Sequence, residues 1–145
     1  NCEDIAVMLG KSVEEVKDTI KKLEDEGVIV GYNTLINWEK VNREMVTALI
    51  EVKVAPQRDK GFDKVADRIY RFPEVKACYL MSGGFDLTVI VEGKSIKQVA
   101  SFVAEKLAPI ESVLSTSTHF VLKKYKDDGV VFEKKEKDDR EAIVL

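Results

Sequence analysis

Leu80-Met81-Ser82-Gly83-Gly84-Phe85-Asp86-Leu87 holds a glycine pair and an acid between two apolar runs. Upstream, Val75 to Met81 reads as a strand; downstream, Leu87-Thr88-Val89-Ile90-Val91 reads as another. The glycines therefore fall in a tight strand-to-strand turn, and the two strands form a hairpin. Glycine reaches positive φ and lets a second backbone or a ligand come close, while Asp86 sets a carboxylate beside exposed main-chain amides. A plain β-turn uses the same residue types. What flanks the turn decides its meaning.

On either side of this hairpin the apolar period switches between two and three to four. Met45 to Val54 alternates as a long strand, halted at Ala55-Pro56. Phe62, Val65, Ala66, Ile69 and Tyr70 mark a helix that ends before Pro73. Beyond the hairpin, Ile96, Val99, Ala100, Val103 and Leu107 form a second helical stripe, opened by Ser95 as N-cap and closed near Pro109. Val113 to Leu122 is extended again. The order is β-α-β-β-α-β, and right-handed crossovers make that a ferredoxin-like sheet with both helices on one face. Val, Ile and Leu occur at both parities of the strands, so the other face needs cover as well, and a second copy of the chain supplies it.

The first 27 residues have helical spacing. Ile5, Ala6 and Leu9 share a face of one segment, which stops at Gly10; Val13, Val16, Ile20 and Leu23 share a face of the next, which stops at Gly27. Ser12 followed by Glu15 is a capping box. Two helices joined by so short a turn match the last two helices of a helix-turn-helix. The chain opens on Asn1 directly in this pattern, so a preceding first helix is expected. Val28 to Ile36 reads as a strand leaving the helical domain, and Asn37 to Arg43 as a linker in which Trp38 is a packing or dimer anchor. The tail opens with Asp127-Asp128-Gly129, a turn, continues through Val130-Val131-Phe132 and ends in a mixed-charge run, an arm followed by a solvated end.

The run Asp4 to Ser12, continued through Ile20 to Tyr32, resembles the DNA-binding domain of the Lrp/AsnC regulators, and residues 44 to 125 resemble that family's ligand domain. The resemblance implies an α+β protein in four parts: a partial, winged-helix-like helix-turn-helix domain at 1–36, a linker at 37–43, a βαββαβ domain for effector binding and dimerisation at 44–125, and a strand or arm with a charged tail at 126–145. It implies a transcriptional regulator, not an enzyme, whose partners are double-stranded DNA, a free amino acid bound at a subunit interface, and further copies of itself as dimer, tetramer or octamer. DNA contacts then fall to Ser12, Val13, Glu14, Lys17, Lys21 and Lys22. The effector falls to Gly83, Gly84, Phe85 and Asp86, which look like the family's glycine-x-x-aspartate turn, together with Thr116 and Thr118 on the last strand.

The chemistry of these residues suits that assignment in one place and opposes it in another. Amides at Gly83 and Gly84 can receive a carboxylate, and Asp86 can pair with an ammonium. Val99, Ala100, Val103 and Ala104, read as the inner positions of the second helix, hold no acid for a basic effector and so favour a neutral or apolar amino acid. On the helix assigned to DNA by this resemblance, six acids (Glu14, Glu15, Asp18, Glu24, Asp25, Glu26) face three bases, and phosphate affinity comes from Lys and Arg. An amino-acid-binding oligomer whose helical pair does not touch DNA is therefore the alternative.

Length and composition bound the rest. The 145 residues, 45% apolar and 34% charged, suit one ordinary domain or two small ones. A net charge of −3 gives no overall pull toward nucleic acid, so DNA binding has to come from a local surface. No apolar run is long enough to span a membrane and no signal peptide is recognisable, which points to the cytoplasm. Cys2 and Cys78 lack metal-ligand spacing and read as free thiols; the single His119 reads as a packed or interface residue. No cofactor or metal site and no catalytic group is recognised. A tetrapyrrole decarboxylase, a chemistry present among relatives of this fold, would need basic groups gathered round an apolar cleft. Arg43, Arg58, Arg68, Arg71 and Arg140 are scattered.

Overall fold

A computed structural model describes residues 1–56 and 61–132, which divide into two units, Asn1–Ile36 and Asn37–Leu145. The charged run after Phe132 lies outside the described residues.

In the first unit, helix α1 (Cys2–Leu9) is opened by Asn1, whose side chain accepts from the Asp4 amide at 3.0 Å, and stopped by Gly10 at φ 64. Helix α2 (Val13–Asp25) starts from the reciprocal capping box: the Glu15 amide donates to Ser12 Oγ at 3.2 Å, and the Ser12 amide donates to Glu15 Oε2 at 3.0 Å. Two orphan donors of the first turn are thereby satisfied. Ala6 and Val16 are the buried side chains of this unit and Cys2, Val13, Ile20 and Leu23 are half-buried, so α2 packs along the stripe that its spacing predicts, whereas on α1 only Ala6 of the expected stripe is buried and Ile5 and Leu9 are exposed. After Gly27, at φ 72, the amides of Val28 and Ile29 both donate to the Leu23 carbonyl and close the helix end. The strand expected over Val28 to Ile36 is not formed. Alternation alone makes no strand; ladder bonds need a second strand, and this unit contains none.

The second unit begins with one 3₁₀ turn, Trp38–Lys40, capped by Asn37. It then builds β1 (Val46–Val54), α3 (Asp63–Tyr70), β2 (Val75–Leu80), β3 (Leu87–Gly93), α4 (Ile96–Phe102) and β4 (Val113–Phe120). The sheet order is β2-β3-β1-β4, antiparallel at every pairing, which is the ferredoxin-like arrangement expected from the β-α-β-β-α-β order. Ala48, Ile50, Val52 and Val54 alternate inward along β1 and share the core with Leu87, Val89 and Val91 of β3. From the helices come Val65, Ile69, Val99, Phe102 and Leu107, and Phe72 meets Phe102 edge-on with ring centres 5.6 Å apart. Each such side chain contributes about 1.5–3 kcal/mol by leaving water.

Helix α4 does not run straight to its end. Residues Val103–Leu107 form a π turn, in which the Ala108 amide reaches the Val103 carbonyl at 2.8 Å. Val99 and Val103 point into the core, but Ala100 and Ala104 are exposed, so only two of the four expected inner positions face inward. On the sheet face away from the core, Leu49 and Ile90 are half-buried among Thr47, Glu51, Ser117 and His119. His119 Nε2 lies 3.7 Å from Glu51 Oε1. After β4, a small hairpin pairs β5 (Lys126–Asp127) with β6 (Val130–Val131) through Asp128 at φ 45 and Gly129 at φ 76; two successive positive φ values suit the two-residue turn that matches strand twist.

Candidate functional site

The hairpin between β2 and β3 carries a longer loop than the tight turn its glycines suggest: Met81 to Asp86 separate the last paired residues, Leu80 and Leu87. The loop is nonetheless closed, by the Met81 amide donating to the Asp86 carbonyl at 2.8 Å. Gly83 sits at φ 123, a conformation that side-chain-bearing residues rarely adopt; Gly84 is in open space at an ordinary φ. Ser82, Gly83 and Gly84 are exposed, while Phe85 and Asp86 are half-buried.

Asp86 has a second task. Its amide donates to the Val52 carbonyl at 3.0 Å, and its Oδ2 accepts from the Val54 amide at 2.7 Å. The pairing of β1 with β3 ends at Val52 and Leu87, so the Val54 amide, on the same edge of β1 as Val52, lies just past the end of that ladder. A carboxylate oxygen satisfies the donor that the ladder leaves over. The acid beside the glycines therefore fastens the loop to the end of β1, a role that its place in the sequence did not disclose.

Thr116 and Thr118 pair with Val52 and Ile50 across β1 and β4, which puts both half-buried threonines on the core side of the sheet. Thr116, Val52 and Leu87 stand in one row across three strands. At strand spacings near ~4.8 Å, Thr116 is about 10 Å from the start of β3. Within one chain the glycine loop and the threonines occupy the same end of the sheet without touching. Cys78, on β2, packs against the core, and burial pushes its thiol pKa up.

On α2 the expected DNA-facing residues divide by what they already do. Ser12 is occupied in the capping box and Val13 is half-buried. Lys21 is bound to Asp25 at 2.8 Å and Lys22 lies 4.0 Å from Glu26. Glu14 and Lys17 are exposed. Among the described residues no group of three or more His, Cys, Asp or Glu side chains is placed to hold a metal ion, and no helix is long and apolar enough to cross a membrane.

Residues 47–131, the whole sheet with the small hairpin after it, match the model of the Lrp/AsnC ligand binding domain. The chain belongs to the Lrp/AsnC family. The HTH-type transcriptional regulator YugG of Bacillus subtilis is 56% identical to it over 143 residues, covering 98% of this chain and 86% of that protein. The proline dehydrogenase transcriptional activator of Rhizobium radiobacter is 29% identical over 122 residues, covering 84% and 78%. Among solved structures, the regulator NMB0573 of Neisseria meningitidis in complex with L-methionine shares the fold at a TM-score of 0.71 and 24% identity, covering 90% of this chain and 84% of that one. AsnC of Escherichia coli shares it at 0.68 and 19%, covering 89% and 85%. Of the Lrp/AsnC features expected here, the helical pair and the ferredoxin-like domain are both formed, and the two relatives named as regulators align with 98% and 84% of the chain.

Proposed function

We propose that this Lrp/AsnC protein is a cytoplasmic transcriptional regulator and not an enzyme, in which α2 contacts double-stranded DNA and the loop at Gly83 and Gly84 binds a free amino acid at an interface between copies. The exposed glycine amides beside Asp86 carry the reading. They offer donors to the effector's carboxylate, and Asp86, one oxygen of which holds Val54, has a second oxygen for the ammonium. Phe85 and, from a neighbouring copy, Thr116 and Thr118 line the remainder. The L-methionine bound to the related Neisseria regulator is consistent with a neutral, apolar effector.

Assembly follows from the sheet. Leu49 and Ile90 lie in one row on its open face, and a second copy stacked there would bury both. Effector bound between copies favours one assembly over another and so alters the spacing of the DNA-binding units, by no more than its difference in affinity for the two assemblies.

The test is fluorescence anisotropy on DNA from upstream of the protein's own gene, across a salt series, with and without a pool of amino acids. Binding that weakens steeply with salt and shifts on adding the pool is the expected result. Effector binding without any DNA affinity at low salt would mean that the acids of α2 prevail, leaving an amino-acid-binding oligomer.

A further inference from the structure

On the sheet face turned away from the core, the cross-strand register sets two polar residues of β4 beside one acid of β1. Glu51 pairs directly with Ser117, and His119 pairs with Leu49 one step along the same face. His119 Nε2 stands 3.7 Å from Glu51 Oε1 and 3.4 Å from Ser117 Oγ. In the single chain these groups meet water: the imidazole is 55% exposed and the carboxylate 36%. An ion pair so placed contributes little. Its surroundings are drier. Thr88, in register with Glu51 on β3, is 6% exposed, and Leu49 and Ile90 lie half-buried in the row alongside.

A second copy stacked on this face changes what the pair is worth. Burying a charge is costly unless an opposite charge goes with it. With a neutral imidazole, each copy carries an unmatched Glu51 carboxylate into the interface, and the twofold relating the copies doubles that charge. With a protonated imidazole the counter-charge is already in place, 3.7 Å away. Histidine is the side chain whose ordinary titration falls between about pH 5 and 8. The paired strands bring few other ionisable groups to this face. Lys53 on β1 stands opposite Ser115, Glu92 on β3 opposite Thr47, and Tyr79 on β2 opposite Thr88. Lys76, at the irregularity of β2, lies on the strand at the far edge of the sheet from β4. Among the described residues, Glu51 is the ion-pair partner of His119 and none of these others is.

We propose that the open sheet face joins two copies through a proton-dependent contact, in which a protonated His119 allows Glu51 to enter the interface, so that self-association tightens as the pH falls. The sign follows from linkage. The assembled state keeps the proton on His119 at pH values where separate chains have begun to lose it, so assembly takes up protons and acid favours it. The inference rests on the sheet-face assembly proposed above and adds its regulation. It is independent of the glycine loop and of the helical unit.

Fluorescence-detected sedimentation of the intact protein at constant ionic strength, between about pH 6 and 8, tests it. The dissociation constant of the assembly is expected to fall at least tenfold from the upper to the lower pH. His119→Gln, neutral throughout, flattens the profile at the weak level that the parent shows at the upper pH. Glu51→Gln removes the charge that needs matching and reverses the profile: assembly is tight at the upper pH and weakens as the unmatched imidazole gains its proton. Where the parent's constant lies below the sedimentation range, the urea midpoint, which rises with assembly, is read across the same pH range as its difference from His119→Gln. A parent without pH dependence, a His119→Gln variant that keeps it, or a Glu51→Gln variant that still tightens with acid would each overturn the inference. Leu49→Lys separates it from the assembly it rests on, by placing a charge in the middle of the face. Self-association lost in Leu49→Lys, with a flat profile in the parent, overturns the proton dependence alone. Undiminished self-association in Leu49→Lys overturns the sheet-face assembly and the inference with it.

Discussion

The carboxylate of Asp86 accepts a hydrogen bond from the amide of Val54 at 2.7 Å, joining two residues 32 positions apart in sequence. The acceptor stands next to the glycine loop and the donor just past the end of the ladder between β1 and β3. One side chain therefore links the stability of the sheet's end to the shape of a candidate binding loop. Substitutions at Asp86 separate the two roles.

Asp86→Ala strips the acceptor and leaves a part-buried amide unsatisfied, a loss of about 1–3 kcal/mol in urea unfolding. Asp86→Asn retains a side-chain oxygen for Val54 and recovers most of that stability, yet it removes the charge available to an effector ammonium. The expected pattern is therefore near-native unfolding of the asparagine variant with effector response lost in both. An asparagine variant that responds normally to effector would remove Asp86 from the binding role and leave it a purely structural residue.

Gly93 is held by close approach and not by its φ. A Cβ built there would stand 2.9 Å from Val99 Cγ2 and 3.2 Å from Gln98 Oε1, beneath the first turn of α4. Gln98 Oε1 already accepts from the Lys94 amide at 2.5 Å, so it cannot move aside without loss, and Val99 is 1% exposed in the core. Gly93→Ala is expected to cost about 1–3 kcal/mol by overpacking, lowering the thermal midpoint by about 4–8 °C per kcal/mol for a domain of this size. Gly84→Ala, with open space around the added methyl, serves as the control and should melt within error of the parent. Equal melting of the two variants would mean that α4 shifts to make room.

Much of this architecture was readable before any coordinates. The alternation from Met45 to Val54 and the stripes at Phe62 to Tyr70 and Ile96 to Leu107 gave the β-α-β-β-α-β order because each burial pattern is written in a local period. What resisted reading depends on partners distant in sequence. Val28 to Ile36 alternates, but no strand in its own unit pairs with it. Ala100 and Ala104 sit on the exposed side of the helix that the π turn at Val103–Leu107 ends, and a shift from four-residue to five-residue bonding has no signature in residue type. Asp86 was visible as an acid beside glycines, yet nothing local says that its first partner is Val54.

Glu74 and Lys106 make stability depend on pH. The hydrogen bond from Lys106 Nζ to Glu74 Oε1 holds the carboxyl below the usual carboxylate range, while Oε2 is buried with no hydrogen-bond partner among the described residues. A carboxyl depressed in the folded state contributes stability above its unfolded pKa, and that contribution fades as pH falls through the folded value. Lys106→Met removes the hydrogen bond and leaves a carboxylate oxygen buried without a counter-charge. The variant should be less stable than the parent near neutral pH, by up to about 1 kcal/mol for a pair this exposed, and the difference should narrow toward pH 3. A gap that stays constant with pH would trace the effect instead to the lost stacking of Lys106 on Phe72, whose ring centre lies 5.9 Å from Nζ.

On α2, free charge and engaged charge predict different outcomes at the DNA. Lys17 has no ion-pair partner among the described residues, whereas Lys21 is tied to Asp25 and Lys22 approaches Glu26. Lys17→Ala should weaken binding evenly across DNA sequences and lower the slope of log affinity against log salt by about 1. Asp25→Asn releases Lys21 from a 2.8 Å pair and should act in the opposite direction, raising affinity and steepening the slope. Ser12→Ala provides the structural counterpart: losing the cap costs about 1 kcal/mol of stability in the helical unit, and any fall in affinity should then track unfolding and leave the slope unchanged. Affinity and salt slope unchanged in both Lys17→Ala and Asp25→Asn would place the DNA contact on a surface other than α2.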